Sequence, residues 1–153
     1  MSQLLIVVDK TKDWTSFYPS DNVISVQDYL SQEGGQQGAR INVINLCRSY
    51  KYLTNGYYCS LLAEARGHKV IPTVRTVNDL SNKSLYSLDI ANLNKLLDKI
   101  PQSNAADPTS LSAKIFFGTT TMPELDTLAR QIFELFPCPI LNFTLRHRDN
   151  WYI

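Results

Sequence analysis

The chain has 153 residues, 44% of them hydrophobic and 19% charged, with a mean hydropathy of −0.18. That length predicts a single domain spanning residues 1–153, since domains run to roughly 100–200 residues and one of this size buries enough surface to need no staple. No apolar run approaches the ~18 residues that cross a bilayer, so no membrane partner is expected. The start, Met1 to Asp9, lacks the basic residues and cleavage site of a signal peptide. Three cysteines, Cys47, Cys59 and Cys138, form no C-x-x-C pair, which fits a reduced, cytoplasmic chain better than a disulfide scaffold. Two histidines, His68 and His147, are too few for a dedicated zinc site.

The net charge of +1 argues against general nucleic-acid binding. It is unevenly spread. Residues 1–39 carry −3, residues 40–75 carry +5, residues 76–112 carry −1 and residues 113–153 carry 0. Arg40, Arg48, Lys51, Arg66, Lys69 and Arg75 make the basic block, with Glu64 as its one acid. Such a field steers anions, although a solvated face explains most scattered surface charge.

In chain order, Leu4 to Val8 is a continuous apolar run, read as a strand covered on both faces. Asp9 to Asn22 reads as a loop, Val23 to Val26 as a short strand, and Gln27 to Gln32 as a helical turn. Gly34-Gly35-Gln36-Gln37-Gly38 is no phosphate loop, because it lacks Gly-x-Gly and Gly-Lys-Ser/Thr and precedes a strand. Ile41 to Leu46 is the next strand, followed by a loop from Cys47 to Thr54. A helix capped by Thr54 or Asn55 runs to Arg66, with Tyr58, Leu61, Leu62 and Ala65 as its buried stripe and Gly67 just past its end. His68 to Ile71 is a third central strand, ended by Pro72.

Leu93, Leu96, Leu97 and Ile100 repeat the helical spacing up to Pro101, and Gln102 to Ser112 reads as a loop. Lys114 to Phe117 is a strand, and Gly118 to Thr121 turns the chain. Thr121-Met122-Pro123-Glu124 matches a capping box for a helix burying Leu125, Leu128, Ala129 and Ile132 until Pro137 and Pro139. Leu141, Phe143 and Leu145 alternate with polar residues, as in a half-buried strand at or near an edge. Arg148-Asp149-Asn150 reads as a turn. Trp151-Tyr152-Ile153 reads as a strand cut short, so the natural polypeptide is expected to continue; the alternative is a short apolar tail that packs. The whole predicts an α/β fold: a mostly parallel open sheet with helices on both faces and a C-terminal edge hairpin.

In an open parallel sheet, ligands bind beyond the carboxyl ends of the strands. With all four central strands parallel, Asp9, Arg48, Ser49, Tyr50, Arg75, Thr119 and Thr120 gather on one edge. There Arg48 and Arg75 are candidate anion anchors, beside the helix N–H groups near Gly56. The competing reading pairs these arginines with Asp9 or Asp79. Four of the eight tyrosines lie between Arg48 and Cys59 among basic residues. That pattern can stack single-stranded bases, but a covering surface fits the near-neutral chain better. Cys59, near a helix start, is either an activated thiol or a small buried hydrophobe; the second fits better, because no histidine is near in sequence to serve as its base. Cys47 and Cys138 read the same way. His68 reads as capping or solvating the Gly67 turn, and His147 as an exposed strand end. No Ser/His/Asp order, Gly-x-Ser-x-Gly elbow, paired carboxylates or metal spacing is present.

The segments Ile44-Asn45-Leu46-Cys47-Arg48-Ser49-Tyr50-Lys51-Tyr52 and Gly56-Tyr57-Tyr58-Cys59-Ser60-Leu61-Leu62-Ala63-Glu64-Ala65-Arg66-Gly67-His68-Lys69-Val70-Ile71-Pro72 resemble the N-terminal domain of RimK-like ATP-grasp ligases. Leu4 to Asp9, Trp14-x-x-x-Tyr18-Pro19 and the tail from Phe143 to Ile153 are similar to the same family. The resemblance implies a domain that precedes an ATP-grasp module of the same polypeptide. That module would join a carboxylate, such as glutamate, to an amine through an acyl phosphate, using ATP and Mg²⁺. Its nucleotide and metal residues would lie beyond Ile153, so no catalytic residue and no cofactor is implied for this chain. The implied role is accessory: substrate recognition, cleft closure, or contact with the ATP-grasp module or with other copies. The alternatives are a stand-alone anion-binding α/β module and a free-standing enzyme using Cys59.

Overall fold

A computed structural model describes residues 3–14, 20–32, 40–97, 110–147 and 151–152. The glycine segment 34–38, Tyr18-Pro19, Ile100-Pro101, most of the loop after Pro101, the turn at 148–150 and Ile153 lie outside the described residues. The chain divides into two compact units, Met1–Ser81 and Asn82–Ile153. The α/β fold class is as expected, with one parallel and one antiparallel sheet.

In the first unit, β1 (Gln3–Val8), β2 (Val23–Ser25), β3 (Ile41–Asn45) and β4 (Lys69–Ile71) form an all-parallel sheet in the order β2-β1-β3-β4. The register Leu5↔Val43↔Val70 and Gln3↔Ile41 places the odd-numbered residues of β1 and β3 on one face. There Leu5, Val7, Ile41 and Val43 pack with Val26 and Tyr29 of α1 (Val26–Ser31) and Cys59 and Ala63 of α2 (Asn55–Ala65). On the other face Ile6 and Ile44 are half-buried and Leu4 is exposed, so β1 is less covered than its apolar run predicts.

The β2–α1 boundary falls one residue earlier than the hydrophobic pattern suggests. Ser25 is the N-cap, its Oγ accepting from the Asp28 N–H at 3.1 Å and donating to Asp28 Oδ2 at 2.5 Å. Helix α2 ends as expected. Gly67 has φ +73°, the Gly67 N–H reaches the Glu64 carbonyl, and the His68 N–H reaches that of Ala63, a Schellman closure. The expected stripe is overturned. The residues α2 buries are Gly56, Cys59, Ser60 and Ala63, while Tyr58 and Leu61 face solvent. Small side chains let the helix lie close on the sheet, and the large ones are left outside. Soon after Pro72 the chain enters α3 (Val74–Ser81). Thr73 Oγ1 accepts from the Thr76 N–H at 3.1 Å and starts that helix.

In the second unit, α4 (Lys83–Leu97) buries Leu93 and Leu97 of its expected stripe. Strands β5 (Ser110–Phe116), β6 (Thr119–Thr120), β7 (Ile140–His147) and β8 (Trp151–Tyr152) form an antiparallel sheet in the order β6-β5-β7-β8. The strand expected to join the parallel sheet therefore does not. Phe117 (φ +48°) and Gly118 (φ +82°) both adopt the left-handed conformation of a two-residue hairpin turn. The chain folds straight back as β6. Helix α5 (Asp126–Leu135) buries Leu128, Ala129 and Ile132 and follows a 3₁₀ turn at Pro123–Leu125 that buries Leu125. The capping box does not form. Met122 occupies the cap of the 3₁₀ turn without a side-chain bond, and Asp126 Oδ1 accepts instead from the Thr120 N–H at 3.2 Å. The alternation in β7 holds, with Phe143 and Leu145 buried, and β7 lies one strand in from the edge.

One buried polar contact ties α1 to the turn before β4. The Tyr29 hydroxyl lies 2.9 Å from His68 Nδ1. Arg66 stands over the Tyr29 ring at 5.1 Å, and its guanidinium donates to the Tyr29 and Gln32 carbonyls. Burial, then the Arg66 charge, hold His68 below the ordinary imidazole range, while burial first pushes the Tyr29 phenol up. The ring is thus neutral and the phenol protonated at neutral pH, and one hydrogen bond joins them. A histidine with a lowered native pKa leaves stability intact above its unfolded value of about 6.5. Stability is then lost as the pH falls through that value toward the native one, because the unfolded state takes up the proton first. Urea unfolding is expected to give a lower midpoint at about pH 5.5 than at about pH 7.5, a difference that His68→Asn abolishes.

Candidate functional site

The carboxyl edge of the parallel sheet is built around Asn45, the last residue of β3, whose side chain is fully buried. Its Nδ2 donates to the Gly56 carbonyl at 2.7 Å and to Ser60 Oγ at 3.0 Å, and its Oδ1 accepts from the Cys47 N–H at 3.2 Å. Ser60 Oγ passes the chain on to the Pro72 carbonyl at 2.7 Å, after β4. The Tyr50 hydroxyl returns to the Asn45 carbonyl at 2.7 Å. One amide therefore joins the end of β3, the first turn of α2 and the exit of β4. Gly56 completes the junction. A Cβ there would stand 2.2 Å from the Ser49 carbonyl oxygen and 2.9 Å from Cys47 Cβ, so only glycine lets the loop lie on the helix start.

The candidate residues divide accordingly. Asp9, Arg48, Ser49 and Tyr50 come together beyond the adjacent ends of β1 and β3. Asp9 Oδ2 accepts from the Arg48 backbone N–H at 2.6 Å, and the Arg48 guanidinium meets Asp13 Oδ1 at 2.5 Å. The Ser49 carbonyl accepts from Thr54 Oγ1 at 2.9 Å, and its hydroxyl accepts from the Lys51 N–H at 3.4 Å. Thr54 is the N-cap of α2, yet its hydroxyl serves the loop behind it and not the helix N–H groups. Arg75 lies in the first turn of α3 with Nε 3.7 Å from Asp79 Oδ2, the pairing that the competing sequence reading expected. Thr119 and Thr120 belong to β6 of the antiparallel sheet and not to the parallel one. There Thr119 Oγ1 donates to the Phe116 carbonyl at 2.8 Å, and Thr120 Oγ1 is buried with no hydrogen-bond partner.

Asn45 and Ser60 were not among the sequence candidates. The signal for Asn45 is its parity: in Ile41-Asn42-Val43-Ile44-Asn45 it shares the buried face with Ile41 and Val43, where an amide must be fully bonded.

The three thiols are buried. A hydrogen bond with Cys47, then burial, push the Cys59 thiol far above the ordinary range. Burial likewise raises Cys138, whose Sγ lies 3.4 Å from the Ile140 carbonyl. A thiolate is needed for nucleophilic work, and Cys59 does not supply one at neutral pH. Among the described residues no group of three His, Cys, Asp or Glu side chains is placed to hold a metal ion. Asp9 and Asp13 are both engaged by Arg48, the first by its backbone N–H and the second by its guanidinium.

Asn45→Ala takes its acceptor from the Cys47 N–H and one bond each from the Gly56 carbonyl and the Ser60 hydroxyl, which keeps only Pro72, and is expected to cost about 3 kcal/mol in urea unfolding. Gly56→Ala forces the Ser49 loop off the helix and is expected to cost about 1–3 kcal/mol. Gly67→Ala meets no atom within 4 Å but keeps a positive φ. It should cost only about 1 kcal/mol.

No curated protein and no solved structure matches this chain. The sequence model of the family described as the RimK-like ATPgrasp N-terminal domain matches residues 26–153. That span contains the Ile44–Pro72 segments on which the resemblance rests, and the chain belongs to the RimK-like ATP-grasp N-terminal domain family.

Proposed function

We propose that this chain is the non-catalytic front domain of an ATP-dependent RimK-like carboxylate–amine ligase, and that its contribution is recognition. The observation that carries this reading is the family match over residues 26–153. Two structural features support the accessory role. The thiols are buried with Cys59 raised far above neutral, and the acids of the carboxyl edge are spent on Arg48.

Within that role, the edge at Asp9, Arg48, Ser49 and Tyr50 is the recognition surface. The Arg48 side chain is 69% exposed, and Asp13 contacts it through one nitrogen, Nη2. Its planar fork keeps further N–H donors of the kind that suits a carboxylate. The ATP-grasp module supplies the nucleotide, the metal and the acyl phosphate; this chain holds the acidic substrate or the closing module. Arg75, on α3 with its own partner Asp79, lies outside this surface.

The test has two parts. The 153-residue chain, given ATP, Mg²⁺, a carboxylate and an amine, is expected to release no phosphate above the blank. Turnover that co-purifies and scales with this chain contradicts the accessory reading. Joined to a RimK-like ATP-grasp module, Arg48→Ala is expected to raise KM for the carboxylate substrate about tenfold with kcat nearly unchanged, as for a lost binding contact. An unchanged KM removes Arg48 from the recognition surface and leaves the accessory role standing.

A further inference from the structure

Helix α2 is apolar on both sides. Its small residues, Gly56, Cys59, Ser60 and Ala63, meet the core, and a second apolar face looks outward. Tyr58 is 39% exposed and Leu61 41%, and in the loop just before the helix Tyr52 is 74% exposed and Leu53 61%. These side chains are continuous. The Tyr52 and Tyr57 rings meet edge-on at 5.3 Å, those of Tyr57 and Tyr58 at 5.9 Å, and Leu61 lies one turn beyond Tyr58. Leu53 holds φ +67°, an unfavourable conformation for a leucine that remains largely exposed. Contiguous exposed apolar patches of this kind mark interaction surfaces.

The charges around the patch select the occupant. The exposed residues between Lys51 and Glu64 carry no charge: they are Tyr52, Leu53, Tyr58 and Leu61, with the polar Asn55 at the start of the helix. Lys51 stands at the start of the patch and makes no ion pair among the described residues. Glu64 stands at its end, with Oε1 accepting from the Val74 N–H at 3.0 Å and its residue exposed. A basic start and an acidic end, with only neutral and mostly apolar surface between, are complementary to the same face run in the opposite direction. The partial charges at the ends of α2 oppose each other in that arrangement as well. We infer that the outward face of α2 is a two-fold contact with a second copy of this chain, the two α2 helices antiparallel. The axis passes near Tyr58, Leu53 lies across from Leu61 of the other copy, and Lys51 lies across from its Glu64. This inference does not depend on the ligase reading.

Sedimentation velocity of the 153-residue chain from about 2 to about 200 μM is expected to show a concentration-dependent dimer. Leu61→Glu, at an exposed position that leaves the fold intact, should weaken it at least tenfold. Lys51→Glu should weaken it several-fold, and Lys51→Glu with Glu64→Lys should restore it, a recovery that no loss of folding produces. Tyr58→Cys, near the axis, should cross-link the two copies under mild oxidation, since the native thiols are buried. A chain that stays monomeric over this range, or a dimer indifferent to Leu61→Glu, overturns the inference. So does a monomer whose α2 face becomes protected only when a different polypeptide is added.

Discussion

The side-chain amide of Asn45 is the contact on which the first unit turns. Three segments far apart in the chain must meet at the carboxyl edge of the parallel sheet: the end of β3, the first turn of α2 and the exit of β4. Each brings backbone or hydroxyl groups that would otherwise be buried without partners. Asn45 has two donors and one acceptor oxygen, and it uses them on Gly56, Ser60 and Cys47. An apolar side chain of the same size would fill the space but take a bond from each of these three groups, which costs more than the amide's own desolvation. Asp9 and Tyr50 add their bonds from the outside of the same junction. The loop carrying Arg48 and Ser49 is therefore fixed from within before any ligand meets it.

That junction also explains the face α2 shows. Its first turn must come close enough for the Gly56 carbonyl to meet the Asn45 amide, and for the Ser49 carbonyl to pass where a Cβ would be. Only small residues fit along such a contact, and Gly56, Cys59, Ser60 and Ala63 supply it. The large apolar residues of the helix are displaced outward as a result. Periodicity cannot see this. Tyr58, Leu61, Leu62 and Ala65 recur at helical spacing, but so do Gly56, Cys59, Ser60 and Ala63, and size pointed to the wrong set. The sheet, the Gly67 closure and the α5 stripe were legible because there apolar and polar faces separate cleanly.

The second unit shows a different limit on sequence reading. Lys114 to Phe117 has the composition of a buried parallel strand, and a helix follows it, which is the pattern of a strand–helix–strand unit. What decides against it is the backbone at Phe117 and Gly118, two successive left-handed residues that reverse the chain at once. Glycine allows this conformation freely, but phenylalanine does not advertise it, so half of the turn signal was hidden. Gly118 also lies against Phe133 of α5, where a Cβ would stand 3.2 Å from the ring. The hairpin and the helix are thus fitted to one another, and Thr119 and Thr120 serve that unit and not the edge around Asn45.

In the first unit the interior and the surface hold different kinds of groups. The thiols and His68 are buried. Cys59 is held protonated by Cys47 and by burial, and His68 is held neutral under Arg66 with its Nδ1 occupied by Tyr29. Groups able to bind are outside. The Arg48 fork is exposed at the carboxyl edge, and the tyrosine and leucine side chains line the outer face of α2. Both surfaces depart from the same helix–loop junction, so the bonds that make the interior inert are also those that hold the binding groups in place. A substitution that loosens Asn45 therefore disturbs the Arg48 loop and the start of the α2 face together, whereas one at Leu61 or Arg48 touches a single surface. That difference separates recognition from folding in any variant of this chain.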